Sequence, residues 1–249
     1  LMIDRREKFQ RWYDLTERVH PGWDDANLPS VEEEQRVLSE IAVRAMGVTT
    51  VRWLPDYFRT NWGVRSIPGK GSMQILESLV DRGLAQRTVV DGIDEPAYVW
   101  SGYLQQRIPI SRTTLLSPFD NLVWDRRRTM GMFGFELFLE AYTPAKKRRY
   151  GYFSLSILYR DQLVGRLDPK ADRKGRHLQI KAIHLEPWFV PRANDRFYAS
   201  LAATLRDFAA FNACDTIGVR FSDPDDADDR LREALRAAVP VDQLHAATD

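Results

Sequence analysis

The chain has 249 residues, enough for one large domain or two small ones, and 44% of them are hydrophobic, which excludes a disordered protein. Its formal net charge of +1 conceals a segregation, because residues 100–181 carry 16 Lys and Arg against 7 Asp and Glu, whereas residues 221–249 carry 3 against 8. The basic middle suits phosphate backbones, and the acidic end, which phosphates would repel, is expected to face away from them.

Cysteine use and hydropathy indicate a compartment. Cys214 is the only cysteine, which excludes an internal disulfide and a cysteine-based zinc site and agrees with a reducing environment. The sequence contains neither an apolar run of about 18 residues, as a membrane span needs, nor the apolar core of a signal peptide. We therefore expect a cytoplasmic protein without a membrane partner. Because the chain enters an alternating segment almost at once, we also expect it to be cut from something longer.

The first hundred residues predict a strand, three helices and a hairpin. Residues 6–15 alternate as a strand does, and Ser30 with Glu33 forms a capping box for a helix that ends at Gly47. A short helix over 54–59 and a third helix over 72–82 follow, and then two apolar runs flank the turn pair Asp91-Gly92. This order predicts a winged helix-turn-helix over residues 30–108, with residues 1–29 forming the wing strand of a preceding winged helix and a linker.

The third helix would ordinarily read the major groove of DNA, but its polar face argues against that role. The face carries Gln74, Glu77, Ser78 and Asp81, whose charge would repel phosphates. The winged unit is therefore either structural, which we favour, or it contacts nucleic acid elsewhere, for instance through Arg65, Lys70 or the wing.

From residue 115 the hydrophobic period changes to two, and strands are predicted to dominate. Residues 135–141 alternate, and further strands are expected over 150–159, 162–168 and 177–185, with a turn at 160–161 and a basic loop over 169–176. An amphipathic helix over 195–212, a strand over 216–221 and an acidic helix over 228–238 follow. Residues 109–249 are therefore predicted to be a small antiparallel β-barrel or sheet with a terminal αβ segment, and the whole chain to be α+β.

Basic clusters set against aromatic residues are the main functional signal. One segment, residues 117–128, runs from an aromatic stretch ending in Trp124 and Asp125 into three arginines, and a second basic run leads into Tyr150 and Tyr152. Positioned cations beside aromatic rings are typical of polyanion sites, although solvated hairpin ends are the alternative. The predicted phosphate contacts are Arg126, Arg127, Arg128, Lys146, Lys147, Arg148, Arg149, Lys170, Arg173 and Lys174, with Trp124, Asp125, Tyr150 and Tyr152 positioning them.

Catalytic and metal-binding signals are sparse. The sequence has no glycine-rich phosphate loop, and its four histidines lack metal-ligand spacing, so no metal and no cofactor are expected. Asp120, Asp125 and Glu136 could form an acid–base set, but carboxylates beside arginines more commonly orient them. No catalytic residue is assigned.

Several uncommon strings occur together in this chain: residues 9–21 (FQRWYDLTERVHP), 117–120 (SPFD), 123–126 (VWDR), and 149–152 (RYGY) through 165–168 (GRLD). In this combination and order the chain resembles the AlkZ/YcaQ-like winged-helix DNA glycosylases, as far as about Pro187. The resemblance implies a bacterial repair protein of tandem winged helices and a β-barrel that cleaves the N-glycosidic bond of alkylated or crosslinked bases.

The chain departs from that family at the catalytic motif. The family uses a Gln-aliphatic-Gln or Gln-aliphatic-Asp pair in its N-terminal part, and the strings beginning at Gln74 and Gln179 do not complete it. We therefore expect the DNA-binding C-terminal region of such a glycosylase, binding duplex DNA as a monomer through the phosphate backbone. The alternatives are a winged-helix transcription regulator with a C-terminal sensing or dimerisation domain and a protein-interaction module with an acidic partner.

Overall fold

The computed structural model describes residues 1–24, 26, 28–58, 69–105 and 112–237, and it confirms the α+β class. Within these residues, every helix is too short or too polar to cross a lipid bilayer. The elements in chain order are β1 (Met2–Glu7), β2 (Gln10–Asp14), α1 (Thr16–Val19), α2 (Val31–Met46), β3 (Val48–Thr50), α3 (Leu54–Tyr57), α4 (Gly69–Asp81), β4 (Ala85–Thr88), β5 (Ala97–Trp100), β6 (Thr113–Leu116), α5 (Arg126–Phe133), β7 (Leu155–Tyr159), β8 (Gln162–Asp172), β9 (His177–Leu185), α6 (Asp195–Phe211), β10 (Thr216–Val219), β11 (Ser222–Asp223) and α7 (Ala227–Arg236).

The N-terminal segment is a hairpin, so the prediction of one strand over 6–15 was wrong. β1 and β2 pair antiparallel, and Glu7 pairs with Gln10 across a two-residue turn. Both turn residues, Lys8 and Phe9, have positive φ, of 46° and 68°. The alternating pattern continued through the turn, which is why it did not reveal the reversal.

The next unit packs α2 and α4 against the three-stranded sheet β3-β5-β4. Ser30 caps α2 as predicted, because its hydroxyl accepts a hydrogen bond from the Glu33 amide at 3.2 Å. α4 starts three residues earlier than expected and buries Leu76 and Leu79. The inward face of α2 includes Val43, which is fully buried, whereas Ile41 is exposed. Arg65 lies outside the described residues.

The largest sheet has the strand order β10-β9-β8-β7-β6, with β11 also pairing to β9. In the described part of the chain this sheet is open, so of the two predicted alternatives, a barrel or a sheet, the sheet is confirmed and the barrel was wrong. It is also mixed, because β10 and β11 run parallel to β9 while the other neighbours are antiparallel. α6 covers one face of this sheet and is amphipathic as predicted. Phe197, Leu201 and Leu205 on its apolar stripe are fully inaccessible to solvent, and Phe208 is partly buried.

The segment between α5 and β7 contains less strand than its pattern predicted. Residues 134–140 have no ladder partner, although Phe135 and Leu137 are buried in a satellite core with Val123. The predicted strand over 150–159 begins only at Leu155. The alternation therefore correctly identified Phe135 and Leu137 as buried, but it revealed neither the hydrogen bonding of the backbone nor the burial of Glu140. This non-repetitive stretch forms much of the site described next.

Candidate nucleic-acid interface

The first basic cluster lies at the start of α5 and is held there by Asp125. The buried Asp125 carboxylate accepts hydrogen bonds from the amides of Arg127 at 3.0 Å and Arg128 at 3.2 Å, which makes it the helix N-cap. Trp124 stands beside it and packs edge-on against Tyr57, with ring centroids 6.0 Å apart. Arg126 and Arg127 are exposed. The cap and the tryptophan thus fix the backbone that carries these two cations.

Arg128 has a different environment, and the structure conflicts with the phosphate contact predicted for it. Only 2% of the residue is exposed. Its guanidinium donates to the carbonyl of Met46 at 2.7 Å and to that of Asn121 at 3.1 Å, and burial lowers its pKa although the nearby Asp125 opposes the shift. Arg128 therefore joins α5 to the end of α2, and phosphates cannot reach it.

An open cleft of about 910 Å³ lies between α5 and the unit formed by α2, α4 and the sheet β3-β5-β4. One wall carries the exposed Arg126 and Arg127, and the other includes Asp56, Asp94 and Glu95. This mixed charge makes the cleft less suited to duplex phosphates than the α5 wall alone.

The second basic cluster is held by Glu140, which is 8% exposed. Its carboxylate accepts hydrogen bonds from three successive amides, those of Arg149 at 2.8 Å, Tyr150 at 2.7 Å and Gly151 at 3.3 Å. Burial would raise the pKa of Glu140, but the three amides and the nearby Arg148 hold it below the ordinary glutamate value. A charged carboxylate therefore fixes the backbone of the basic segment, residues 145–152.

Two arginines of the basic segment stack on its own aromatic rings. The Arg148 guanidinium lies 5.0 Å from the Tyr152 ring centroid, and that of Arg149 lies 4.8 Å from the ring of Tyr150. Beneath them, the buried Arg166 sits 4.1 Å from the Tyr150 ring, so this tyrosine contacts two guanidinium groups. These contacts, each contributing about 0.5–2 kcal/mol, restrict where the arginines point.

Gly151 allows the close turn of the basic segment. Its φ is +134°, and the Cβ of any other residue would overlap the Asp168 carboxylate. Asp168 is buried and accepts a hydrogen bond from the Tyr152 amide at 3.2 Å. The segment is thus attached to the sheet at β8 as well as to Glu140.

A smaller open cleft, of about 370 Å³, lies beside the basic segment and is lined by Arg148, Arg149, Tyr152, Lys181 and His184, among others. Burial lowers the pKa of His184, and Arg166 and Arg149 lower it further, while Asp223 opposes them. His184 is therefore predominantly neutral at pH 7. The positive charge of this cleft comes from Arg148, Arg149 and Lys181, and the ammonium of Lys181 lies 3.8 Å from the Asp168 carboxylate.

The remaining predicted cations are exposed but line neither cleft. Lys146 and Lys147 belong to the basic segment, in a 3-10 turn. Lys170 lies on β8 rather than in the predicted loop, and Arg173 and Lys174 occupy the β8–β9 turn, where Asp172 accepts a hydrogen bond from the Lys174 amide at 3.1 Å.

Two of the three carboxylates considered for acid–base chemistry, those of Asp120 and Asp125, accept hydrogen bonds from backbone amides. Asp120 accepts a hydrogen bond from the Leu122 amide at 2.9 Å, Asp125 caps α5, and the exposed Glu136 follows that helix. Of the two clefts described above, the larger is lined by Asp125 alone among the three, and the smaller by none of them. Across the described residues, no group of three or more His, Cys, Asp or Glu is arranged to hold a metal ion.

Glu77 of α4, predicted to repel phosphates, is engaged in an ion pair. Arg87 donates two hydrogen bonds to its carboxylate, one of 3.0 Å, and the Tyr98 hydroxyl donates a third of 2.7 Å. These bonds, that of Arg87 first, lower the pKa of Glu77. The repulsion inferred for this face consequently rests mainly on Asp81, which is exposed.

The interface depends on residues that the sequence did not single out, above all Glu140 and Arg166. Glu140 occupied an outward position in the period-two pattern and gave no signal of burial. Glu140 lies in a stretch of alternating apolar and polar residues, and clustered arginines follow about nine residues later. This spacing could have suggested an ion pair, but not hydrogen bonds to backbone amides.

Comparison with known proteins identifies the chain. No solved structure matches it. The model of the family described as "DNA glycosylase AlkZ-like" matches residues 1–211, which is most of the chain and includes both basic clusters. The resemblance carried by the sequence motifs is thereby confirmed, and the chain belongs to the AlkZ-like family of DNA glycosylases.

Proposed function

We propose that this chain forms the DNA-holding region of a repair glycosylase that acts on alkylated or interstrand-crosslinked bases. Family membership supports DNA as the substrate and DNA repair as the role. The observation that carries the proposal is the fixed basic segment, in which one buried carboxylate binds three amides while two arginines stack on tyrosines. Cations pre-organised in this way lose little conformational entropy when phosphates bind.

The proposed phosphate contacts are the predicted cations other than Arg128, and all of them are exposed except Arg148, which is half-buried and donates to the Thr143 carbonyl at 2.8 Å. Trp124, Asp125, Tyr150 and Tyr152 act by positioning, and Arg128 is omitted because it is buried. The contacts are Arg126, Arg127, Lys146, Lys147, Arg148, Arg149, Lys170, Arg173 and Lys174.

The domain organisation belongs to the same proposal. Residues 30–108 would be a winged helix-turn-helix, and residues 1–29 would be the wing strands of a preceding one together with a linker. Two features support this proposal: the order α2, β3, α3, α4, β4, β5, and the pairing of β3 with β5 and of β5 with β4. Residues 109–249 would form the sheet domain that carries both basic clusters.

The proposal is tested by duplex binding with a charge-matched control. Fluorescence anisotropy of a short labelled duplex would compare the parent chain with a variant in which Lys146, Lys147, Arg148 and Arg149 are all Ala. The control variant replaces four exposed arginines on other elements, Arg44, Arg192, Arg196 and Arg236. We expect the first variant to bind much more weakly and the control to stay close to the parent. If both variants bind equally weakly, binding depends on the total positive charge of the chain and not on the position of the basic segment, which would contradict the proposal.

A winged-helix regulator remains the second candidate, and Asp81 separates it from the repair protein. Asp81→Ala should leave duplex affinity within a few-fold or raise it slightly, because it removes repulsion from a helix that reads no bases. Preference of the parent for a palindromic operator, lost in this variant, would favour the regulator. Preference for alkylated or abasic duplex would favour the repair protein.

A further inference from the structure

The turn of the N-terminal hairpin carries a side chain that folding alone does not explain. Lys8 and Phe9 both have positive φ, a two-residue turn conformation usually supplied by Asn-Gly. A bulky aromatic residue pays a steric cost in this region. Phe9 nevertheless occupies it and is fully exposed, so it contributes nothing to a core in the described residues.

The strands behind this turn place like charges opposite each other. Arg6 is the direct cross-strand partner of Arg11, and both are exposed. Like charges in such a pair destabilise a hairpin unless an anion lies near them. Among the described residues no ion pair involves Arg6, Lys8 or Arg11, whereas Arg5 is paired with Asp4 and Glu7 and lies over Trp12.

The hairpin therefore presents an exposed aromatic tip beside three cations that have no ion-pair partner among the described residues. This combination matches one class of ligand. Proteins that kink DNA insert an apolar wedge between base steps while cations contact the flanking phosphates. We propose that the hairpin tip is a DNA wedge, in which Phe9 enters a base step and Arg6, Lys8 and Arg11 hold the backbone on either side.

The wedge would favour damaged DNA. Unstacking a base step costs a few kcal/mol, and the cost is smallest where a base is mismatched or damaged. A wedge at the hairpin tip consequently discriminates by deformability, without reading base edges. The inference rests on the proposed DNA binding but involves a part of the chain far in sequence from the basic segment.

The test uses the full chain and a duplex with 2-aminopurine beside a mismatch, because this base fluoresces more strongly when it is unstacked. We expect the parent to enhance the fluorescence and Phe9→Leu, which keeps an apolar wedge, to retain the enhancement. Phe9→Gly should lose the enhancement while still binding the duplex. Since glycine relieves the positive φ, the variant should unfold at the same or a higher temperature, so misfolding would not explain the loss.

The control is Phe211→Ala, which removes another exposed aromatic residue, from the end of α6, and should leave the enhancement unchanged. An enhancement that survives in Phe9→Gly would overturn the wedge. Duplex binding by the parent without enhancement would overturn the wedge alone, whereas absence of binding would overturn the proposed function as well. Binding of anionic lipid vesicles that depends on Phe9, with no 2-aminopurine response, would assign the tip to a membrane surface instead.

Discussion

Replacing Glu140 with Gln tests whether a buried carboxylate fixes the basic segment. A hydrogen bond to a charged acceptor contributes about 1.5–3 kcal/mol, and the three amide bonds of Glu140 share one group and do not add in full. Glutamine keeps one acceptor oxygen and brings an NH₂ group toward the remaining donors. We therefore expect Glu140→Gln to lower the free energy of unfolding by about 3 kcal/mol, which corresponds to a fall in melting temperature of about 6–12 °C for a chain of this size.

Thermal unfolding at pH 7 measures this loss, and Glu136→Gln is the control. Glu136 lies in the same irregular stretch as Glu140, residues 134–140, but it is exposed, so its substitution should change stability by no more than about 0.5 kcal/mol. Hydrogen exchange locates the effect, because the amides of Arg149, Tyr150 and Gly151 should lose protection in Glu140→Gln. If the melting temperature and the protection of these amides are both unchanged, the Glu140 carboxylate does not fix the basic segment.

The pH dependence provides a second check on Glu140. Its pKa is depressed in the folded protein, so the unfolded chain binds the proton more readily. The stabilisation by the charged carboxylate is therefore fully present above the ordinary glutamate pKa of about 4.3 and is lost as the pH falls through the lower folded value. The difference in stability between the parent and Glu140→Gln should shrink correspondingly in acid, and a constant difference would contradict the assignment.

Three further outcomes are expected. Gly151→Ala should destabilise the chain by about 1–3 kcal/mol in denaturant unfolding, since alanine is strained at its φ of +134° and would meet a buried carboxylate; a neutral result would contradict the close approach. His184→Gln should flatten the fall in stability from about pH 6.5 downward, because a histidine with a depressed pKa loses its stabilising effect as the pH drops through the folded value. The chain should shift a duplex containing N7-alkylated guanine on a gel without releasing the base, because the family's glutamine motif is not among its residues. Base release that is abolished by Asp120→Asn or Asp125→Asn would instead place a catalytic centre in residues 117–128.

Sequence patterns predicted the helices and strands whose formation depends on residues close together in the chain. The capping box at Ser30 and the apolar stripe of α6 fix helices through neighbours three and four residues apart, and both were found where expected. The strand over 177–185 matched β9 because its alternation coincides with a ladder on both sides.

Contacts between distant residues could not be predicted from those signals. Arg128 bonds to the carbonyl of Met46, 82 residues earlier, and nothing in the run of three arginines distinguishes the buried one. Similarly, the alternation over 135–141 does not show that Glu140 turns inward, because its partners are backbone amides whose sequence is irrelevant to the bond. The large sheet is mixed because the chain returns through α6 and places β10 parallel to β9. A pattern of short strands does not specify the direction in which a strand pairs.

The central claim is that the fixed basic segment contacts phosphates, and the salt dependence of duplex binding tests it most directly. Each phosphate contact that is lost reduces the slope of log K against log salt concentration by about 0.9. Replacing Lys146, Lys147, Arg148 and Arg149 with Ala should thus flatten the slope by up to about 3.6, and the charge-matched control should preserve it. A quadruple variant whose slope equals that of the parent would show that these cations are solvated and do not contact DNA.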